Sequence, residues 1–275
     1  MSLLHTFNPN PILITLGPIK IYWYGLFIVL GVLLAIITAL KLASYYKIPK
    51  NKIIDLSFWL IIFGILGARL YHVLLELPYY LHNPLDIIKI WQGGLAIHGA
   101  IIAGLITVWF FSKKESINFW LVSSLIVPGL ALAMAIGRWG NYFNQELFGL
   151  PTDLPWGIPI NLLNRPLEYI STEFFHPTFL YESLGSLLIF IILILFHAWI
   201  IKNKKPVYNN FLLLTSYFLL YSFLRFSLEF IRIDTTPEFL SLRWPQIASL
   251  IIILLSIILI LFRKKLPFSK TPDSI

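Results

Sequence analysis

Long apolar stretches alternate with short polar ones along most of the chain. Seven of these stretches are about 20 residues long, which at about 1.5 Å per helical residue crosses about 30 Å of hydrocarbon. They are too long and too uniform for barrel strands, so helices are the structure that satisfies their backbone in lipid. The pattern predicts an all-α polytopic membrane protein with seven transmembrane helices, at residues 21–40, 53–75, 93–112, 120–139, 178–200, 211–231 and 246–262.

The composition agrees with a membrane protein. Of 275 residues, 58% are hydrophobic and only 12% charged, and the mean hydropathy is +0.80. The net charge of +8 is spread over short loops rather than gathered on one face, which argues against a nucleic-acid partner. Because the chain has no cysteine, it has no disulfide, thiolate metal site or cysteine nucleophile. We expect neither a metal nor a cofactor, no cleaved signal peptide, and a single transmembrane catalytic domain over residues 1–275.

The basic residues predict the orientation of the chain. Thirteen lysines and arginines follow the first, third, fifth and seventh spans, whereas five lie on the opposite side. The positive-inside rule then puts the N-terminus outside and the C-terminus in the cytoplasm. The loop at 140–176, rich in proline and glycine, becomes a small extracytoplasmic cap. The thirteen are Lys41, Lys47, Lys50, Lys52, Lys113, Lys114, Lys202, Lys204, Lys205, Arg263, Lys264, Lys265 and Lys270.

Small residues recur every four positions in two spans. One row is Ala96, Ala100 and Gly104, and the other is Gly129, Ala133 and Gly137. Such rows allow helices to approach closely, so we expect both to be packing faces.

Ionisable side chains lie at the outer ends of several spans. Arg138 ends the fourth span, with Asn141 three residues later. Arg225 lies in the sixth span, one turn from both Tyr221 and Glu229, and Arg232 follows on the same helical stripe. Ionisable residues inside a membrane mark functional sites, and two arginines without equally buried acidic partners predict a bound anion. In an outer-leaflet site, a phospholipid supplies the phosphate.

Two further side chains converge on the outer side, and simpler interpretations stay open for all of them. His98 lies near the outer start of the third span and Tyr24 at that of the first. His98 could be a packing histidine and Tyr24 an ordinary interfacial tyrosine. Arg225 and Glu229 could merely neutralise each other, and Arg138 could extend to the interface.

The segment GRWGNYFNQELFG at 137–149 resembles the signature of the prolipoprotein diacylglyceryl transferase family. YWYG, GGLAIHGA, HPTFLYE and RFSLEFIR follow the order of that family, so the resemblance covers essentially the whole chain. The family more often has Phe where Tyr142 stands and Gly where Gln145 stands. The signature positions in the segment are Gly137, Arg138, Gly140, Asn141, Asn144, Glu146 and Gly149.

The resemblance implies an enzyme and its substrates. It implies transfer of the diacylglyceryl group of phosphatidylglycerol to the lipobox cysteine thiol of a preprolipoprotein, which forms a thioether and releases glycerol 1-phosphate. This is the first step of bacterial lipoprotein maturation. It implies a multi-pass protein of the bacterial cytoplasmic (inner) membrane, with its active site toward the extracytoplasmic leaflet. The expected partners are phosphatidylglycerol, signal peptides with a lipobox cysteine and membrane lipids.

Roles for individual residues follow as expectations. His98 would take the thiol proton as general base, or act only as a hydrogen-bonding group. Arg138 and Arg225 would stabilise the charge on the leaving phosphate, while Glu229 and Glu146 hold those arginines. The expected catalytic residues are His98, Arg138, Arg225 and Glu229. The expected phosphatidylglycerol-binding residues are Tyr24, Arg138, Asn141, Glu146, Gly149, Tyr221 and Arg225.

Other functional classes fit less well. A transporter predicts polar residues throughout the membrane depth and often repeated halves, and the sequence has neither feature. An intramembrane protease would need a motif such as HExxH or a GxSx-type nucleophile, and these motifs are absent. A non-catalytic phospholipid-binding membrane protein stays open as an alternative.

Overall fold

The computed structural model describes residues 3–203 and 208–263, and these are mostly helical. The α-helices are α1 (Leu3–Thr6), α2 (Trp23–Tyr45), α3 (Lys50–Leu75), α4 (Leu77–His82), α5 (Ile97–Lys114), α6 (Phe119–Asn144), α7 (Thr178–Lys202), α8 (Tyr208–Leu228) and α9 (Trp244–Leu261). The strands form antiparallel pairs, β1 (Ile12–Leu16) with β2 (Ile19–Tyr22), β3 (Ile158–Pro159) with β4 (Phe174–Phe175), and β5 (Glu238–Phe239) with β6 (Leu242–Arg243).

Six helices of the described residues are long and apolar enough to cross a membrane, namely α2, α3, α6, α7, α9 and the part of α8 from Asn210. They coincide with six of the seven predicted spans, and the chain is a multi-pass membrane protein. Five basic residues used to orient it, Lys204, Lys205, Lys264, Lys265 and Lys270, lie outside the described residues.

The remaining predicted span, 93–112, corresponds to α5, which has 18 residues and is not among the six. Its helix begins at Ile97 rather than at residue 93. Gly93 and Gly94 have φ angles of 91° and 71°, a left-handed conformation that is incompatible with a right-handed helix. Two lysines, Lys113 and Lys114, lie in its last turn and shorten its apolar stretch.

The contacts divide the chain into two compact units, Met1–Thr38 with Ile126–Ile275, and Ala39–Leu125. In the second unit α3 packs closely on α5. A Cβ atom added to Gly99 would lie 2.1 Å from the carbonyl oxygen of Gly67, so no larger residue fits there.

The packing row on α5 therefore differs from the prediction. A Cβ atom at Gly67 would lie 2.4 Å from the Cβ of Ala103, so Gly99 and Ala103 form the contact face. The predicted row of Ala96, Ala100 and Gly104 lies one position to the side of this closest contact. Ala96 still contacts α3, because its amide donates to the carbonyl of Ala68 at 3.0 Å. At Gly104 an added Cβ would reach only a flexible leucine end at 3.9 Å.

In the first unit the small residues of α6 pack on α2 as predicted. An added Cβ at Gly129 would come within 2.9 Å of the Ala35 backbone, and one at Gly31 within 3.2 Å of Ala133. A Cβ at Gly137 would meet nothing within 4 Å, so this third member of the row takes no part in the contact.

The segment between α6 and α7 folds around an apolar cluster of its own. Buried side chains from the end of α6, from the segment and from the first turn of α7 form the cluster; they are Tyr142, Phe148, Ile158, Ile160, Phe175 and Phe179. The hydroxyl of Thr178 donates to the carbonyl of Leu147, which links the start of α7 to the segment just after α6. This hydrogen bond helps to keep the first turns of α7 beside the last turns of α6.

Helix α8 ends at Leu228, earlier than predicted. The amide of Glu229 still bonds the carbonyl of Arg225 at 3.2 Å, but the chain then turns. Arg232 pairs with Gly149 in an isolated antiparallel bridge. The expectation that Arg232 lies on the helical stripe of Arg225 and Glu229 is therefore wrong, because Arg232 belongs to an extended segment.

Candidate active site

Seven charged side chains form one cluster in the first unit, at the ends of α6 and α8, in α7 and in the segment 229–243. Salt bridges connect all of them, and we call them the charged cluster. Its members are Arg138, Arg225, Arg232, Arg243, Glu182, Glu229 and Asp234.

Glu182 of α7 is the acceptor shared by three arginines. Its Oε1 atom lies 3.0 Å from Nη1 of Arg225 and 3.2 Å from Nη1 of Arg232. Its Oε2 atom contacts Nε of Arg138. Glu182 is only 5% exposed, so burial weakens water's screening of these interactions. One carboxylate thus joins guanidinium groups from three separate parts of the chain.

Glu229 is the second acceptor and is 1% exposed. Its Oε2 atom lies 2.7 Å from Nη2 of Arg225, one helical turn earlier. Its Oε1 atom lies 2.9 Å from Nη1 of Arg243. Arg225 therefore contacts both buried carboxylates, Glu182 with one nitrogen and Glu229 with the other.

Asp234 completes the cluster on its more exposed side. It accepts from Nε of Arg232 at 3.0 Å and lies 3.9 Å from Nη2 of Arg243. Burial by itself would raise the pKa of Asp234, but the hydrogen bonds and charge of Arg232, with the charge of Arg243, hold that pKa below its ordinary value. Asp234 is therefore ionised at neutral pH.

The charged cluster carries more positive than negative groups. Within the charged cluster, as the described residues form it, four guanidinium groups face three carboxylates, so basic groups exceed acidic groups by one. Charge taken out of water is unfavourable unless it is paired. The cluster therefore favours an anion, and guanidinium groups bind phosphate or carboxylate particularly well.

Arg138 also takes part in a second series of hydrogen bonds, which leads through Asn141 to Glu146. Its Nη1 donates to Oδ1 of Asn141 at 3.2 Å, and Nδ2 of Asn141 donates to Glu146 at 2.7 Å. Asn141 is buried and Glu146 also accepts from Asn144. Glu146 thus acts on Arg138 through Asn141, and the acidic group in direct contact with Arg138 is Glu182.

The other expected lipid-binding residues of the first unit are Tyr24, Tyr221 and Gly149. The ring of Tyr24 packs against Gly140, where an added Cβ would lie 2.6 Å from the ring. Tyr221 lies one turn before Arg225 on α8. Gly149 pairs with the backbone of Arg232, and an added Cβ there would lie 2.7 Å from the carbonyl oxygen of Ile231.

His98 belongs to the second unit, where it is the second residue of α5 and lies 5.8 Å from the ring of Tyr71 between centroids. The loop before it is held by Arg69, which donates to the carbonyls of Ile87, Gly93 and Gly94 at 2.8–2.9 Å. Arg69 is therefore structural support for the approach to His98. The role of His98 as a general base stays a prediction.

Sequence reasoning did not select Glu182, Arg243 or Asp234. Glu182 carried a usable signal, since it is a lone acid in an apolar span and belongs to HPTFLYE. Arg243 and Asp234 gave none, because both lie in the connection between α8 and α9, where charged residues are ordinary.

Comparison with known proteins gives a consistent result. The family described as prolipoprotein diacylglyceryl transferase matches residues 11–262. The phosphatidylglycerol–prolipoprotein diacylglyceryl transferase of Synechococcus elongatus is 44% identical over 246 residues, which cover 90% of this chain and 84% of the relative. The protein of the same name from Acaryochloris marina is 40% identical over 267 residues, covering 96% and 95%. That from a Nostoc species is 43% identical over 230 residues, covering 83% and 80%.

Proposed function

The chain belongs to the prolipoprotein diacylglyceryl transferase family, and from this premise we propose that the charged cluster is the site where it acts. The chain is a membrane transferase that moves the diacylglyceryl group of phosphatidylglycerol to a prolipoprotein. The observation that carries the assignment of the site is the excess positive charge around Glu182, which suits a phosphate ester.

The substrate head group is bound by Arg138 and Arg225. Each arginine contacts Glu182, which fixes the direction of its guanidinium plane and leaves other N–H groups for a phosphate. Asn141, held by Glu146, contributes an amide beside Arg138. Tyr24 and Tyr221 supply hydroxyl groups for the glycerol or phosphate oxygens. Glu146 acts indirectly through Asn141, and Gly149 acts indirectly through the extended segment at Arg232.

The reaction is a displacement at the glycerol carbon that bears the phosphate ester. The sulfur of the lipobox cysteine forms a bond to this carbon while the carbon–oxygen bond to phosphate breaks. Glycerol 1-phosphate leaves with the electron pair, and the thiol proton passes to a general base, the role predicted for His98. Because negative charge grows on the departing phosphate, positioned arginines in a low-dielectric site favour the transition state over the ground state. Glu229 keeps Arg225 oriented through this change.

The proposed topology has seven spans, with α5 as the third. Its 18 residues extend about 27 Å at about 1.5 Å each, close to the hydrocarbon thickness. The excess of lysine and arginine supports an N-terminus outside and a cytoplasmic C-terminus. The segment between α6 and α7 is then an extracytoplasmic cap. The active site faces the extracytoplasmic leaflet of the bacterial inner membrane.

A reconstituted assay tests this function. Purified protein in detergent is mixed with phosphatidylglycerol and a peptide that carries a lipobox cysteine. We expect release of glycerol phosphate together with a peptide mass gain of one diacylglyceryl group. The matched control peptide has serine in place of cysteine, and it should give neither product. Lipid binding without either product would instead identify a non-catalytic phospholipid-binding protein.

A further inference from the structure

Arg243 is the last residue of β6, directly before α9, and its guanidinium group is almost fully used. Nη1 donates to the carbonyls of Glu229 at 3.2 Å and Arg232 at 3.0 Å, and Nε donates to Oγ1 of Thr236 at 2.8 Å. Nη2 donates to the carbonyl of Asp234. The side chain therefore fixes the turn that follows α8.

Arg243 also competes with Arg225 for Glu229. The two carboxylate oxygens of Glu229 are divided between these arginines, at 2.7 Å for Arg225 and 2.9 Å for Arg243. Without Arg243, the whole charge of this buried carboxylate would act on Arg225. The attraction of Arg225 for a second anion would fall accordingly, since the field of a buried charge is poorly screened.

The charge balance depends on the same residue. The charged cluster has four arginines and three carboxylates, so loss of Arg243 leaves equal numbers. A cluster with equal numbers of basic and acidic groups attracts a phosphate less strongly than a cluster with one basic group in excess.

We propose that Arg243 is a positioning residue that neutralises part of Glu229 and thereby keeps Arg225 available for the substrate phosphate. The proposal rests on the function proposed above. Arg243 acts through Glu229 and Arg225 and does not touch the substrate. Its charge is the property that matters for substrate binding, while its carbonyl contacts stabilise the turn.

Three variants separate the charge from the structural contacts. Arg243→Gln removes both. Arg243→Lys keeps the charge but lacks the planar fork that reaches several carbonyls. Arg243→Gln combined with Asp234→Asn restores the excess of one positive charge without restoring the contacts. Arg165→Gln is the matched control, because Arg165 donates to the carbonyls of Ile160 and Ile170 outside the cluster.

The measurement is KM for phosphatidylglycerol and kcat in the reconstituted assay, with melting temperature recorded for each variant. We expect Arg243→Gln to raise KM about tenfold with a smaller change in kcat, and Arg243→Lys and the double variant to recover most of that loss. Arg165→Gln should leave KM unchanged.

Equal impairment of the Gln, Lys and double variants would overturn the proposal, because it would assign the whole effect to the lost carbonyl contacts. An unchanged KM in Arg243→Gln would overturn it as well. Failure of the proposed function looks different, since the unsubstituted protein would then release no glycerol phosphate in a thiol-dependent way.

Discussion

Glu182 and Arg225 lie 43 positions apart in the sequence, yet Oε1 of the first lies 3.0 Å from Nη1 of the second. The contact joins α7 to α8, and the same carboxylate also contacts Arg138 and Arg232. Glu182 is thus the residue on which the arrangement of the proposed phosphate-binding arginines depends.

Replacing Glu182 with Gln should abolish most activity and lower stability. The amide keeps the shape but cannot neutralise three guanidinium groups, and breaking a buried pair typically destabilises by about 3–5 kcal/mol. We expect kcat/KM to fall by at least about 100-fold, because the arginines lose their fixed positions. Glu173→Gln, at an exposed position in the same unit, is the control. Normal turnover by Glu182→Gln would show that the arginines do not need the Glu182 carboxylate to bind substrate.

His98→Gln tests the base assignment separately from lipid binding. If His98 accepts the thiol proton, kcat should fall by about 100-fold or more while KM for phosphatidylglycerol changes little. His82→Gln, an exposed histidine of the same unit, should behave like the unsubstituted protein. Activity within a few-fold of normal in His98→Gln would leave His98 as a hydrogen-bonding group only.

Gly149 and Gly137 both belong to the motif at 137–149, but the structure distinguishes them. A Cβ at Gly149 would lie 2.7 Å from a backbone oxygen, and it would displace the extended segment that carries Arg232. Gly149→Ala should therefore lower the melting temperature. Gly137→Ala should keep or raise it, because its Cβ meets nothing and alanine favours a helix by about 1 kcal/mol. Equal melting temperatures for the two variants would contradict the close contact at Gly149.

The contribution of Asp234 to stability should depend on pH. Its folded-state pKa lies below the ordinary value of 3.8, so ionised Asp234 stabilises the folded protein above that pH. The stabilisation should decline as pH falls below 3.8 and through the folded-state pKa. Asp234→Asn should therefore melt at a lower temperature at pH 7, and the difference should shrink on acidification. A difference that is constant with pH would show that Asp234 acts through its shape alone.

The sequence predicted the helices well because their apolar stretches are long and bilayer thickness limits the possible lengths. It predicted less well where backbone conformation interrupts a stretch, as at Gly93 and Gly94 before α5. The salt bridges of Glu182 were beyond sequence reasoning, because they depend on how α7 packs against α6 and α8. A charge within one helix can be found from the sequence, but its partners on other helices cannot.

Gln145 illustrates a different limit. The resembled family more often has glycine here, and Gln145 has a φ of 52°, which glycine adopts without strain. The side chain offers compensation, since Nε2 donates to Asn8 at 2.6 Å and Oε1 accepts from the amide of Asn161 at 2.8 Å. These contacts join the N-terminal segment to the segment after α6, and a single sequence gives no sign of them.

The central claim is that Arg138 and Arg225 bind the phosphate of phosphatidylglycerol. Its most direct test is thiol-dependent release of glycerol phosphate by Arg138→Ala and Arg225→Ala, with folding checked by melting temperature and size-exclusion profile. The account predicts that each folded variant loses release by at least about 100-fold, since each removes a charge that stabilises the leaving phosphate. Release at the normal rate by both folded variants would contradict it.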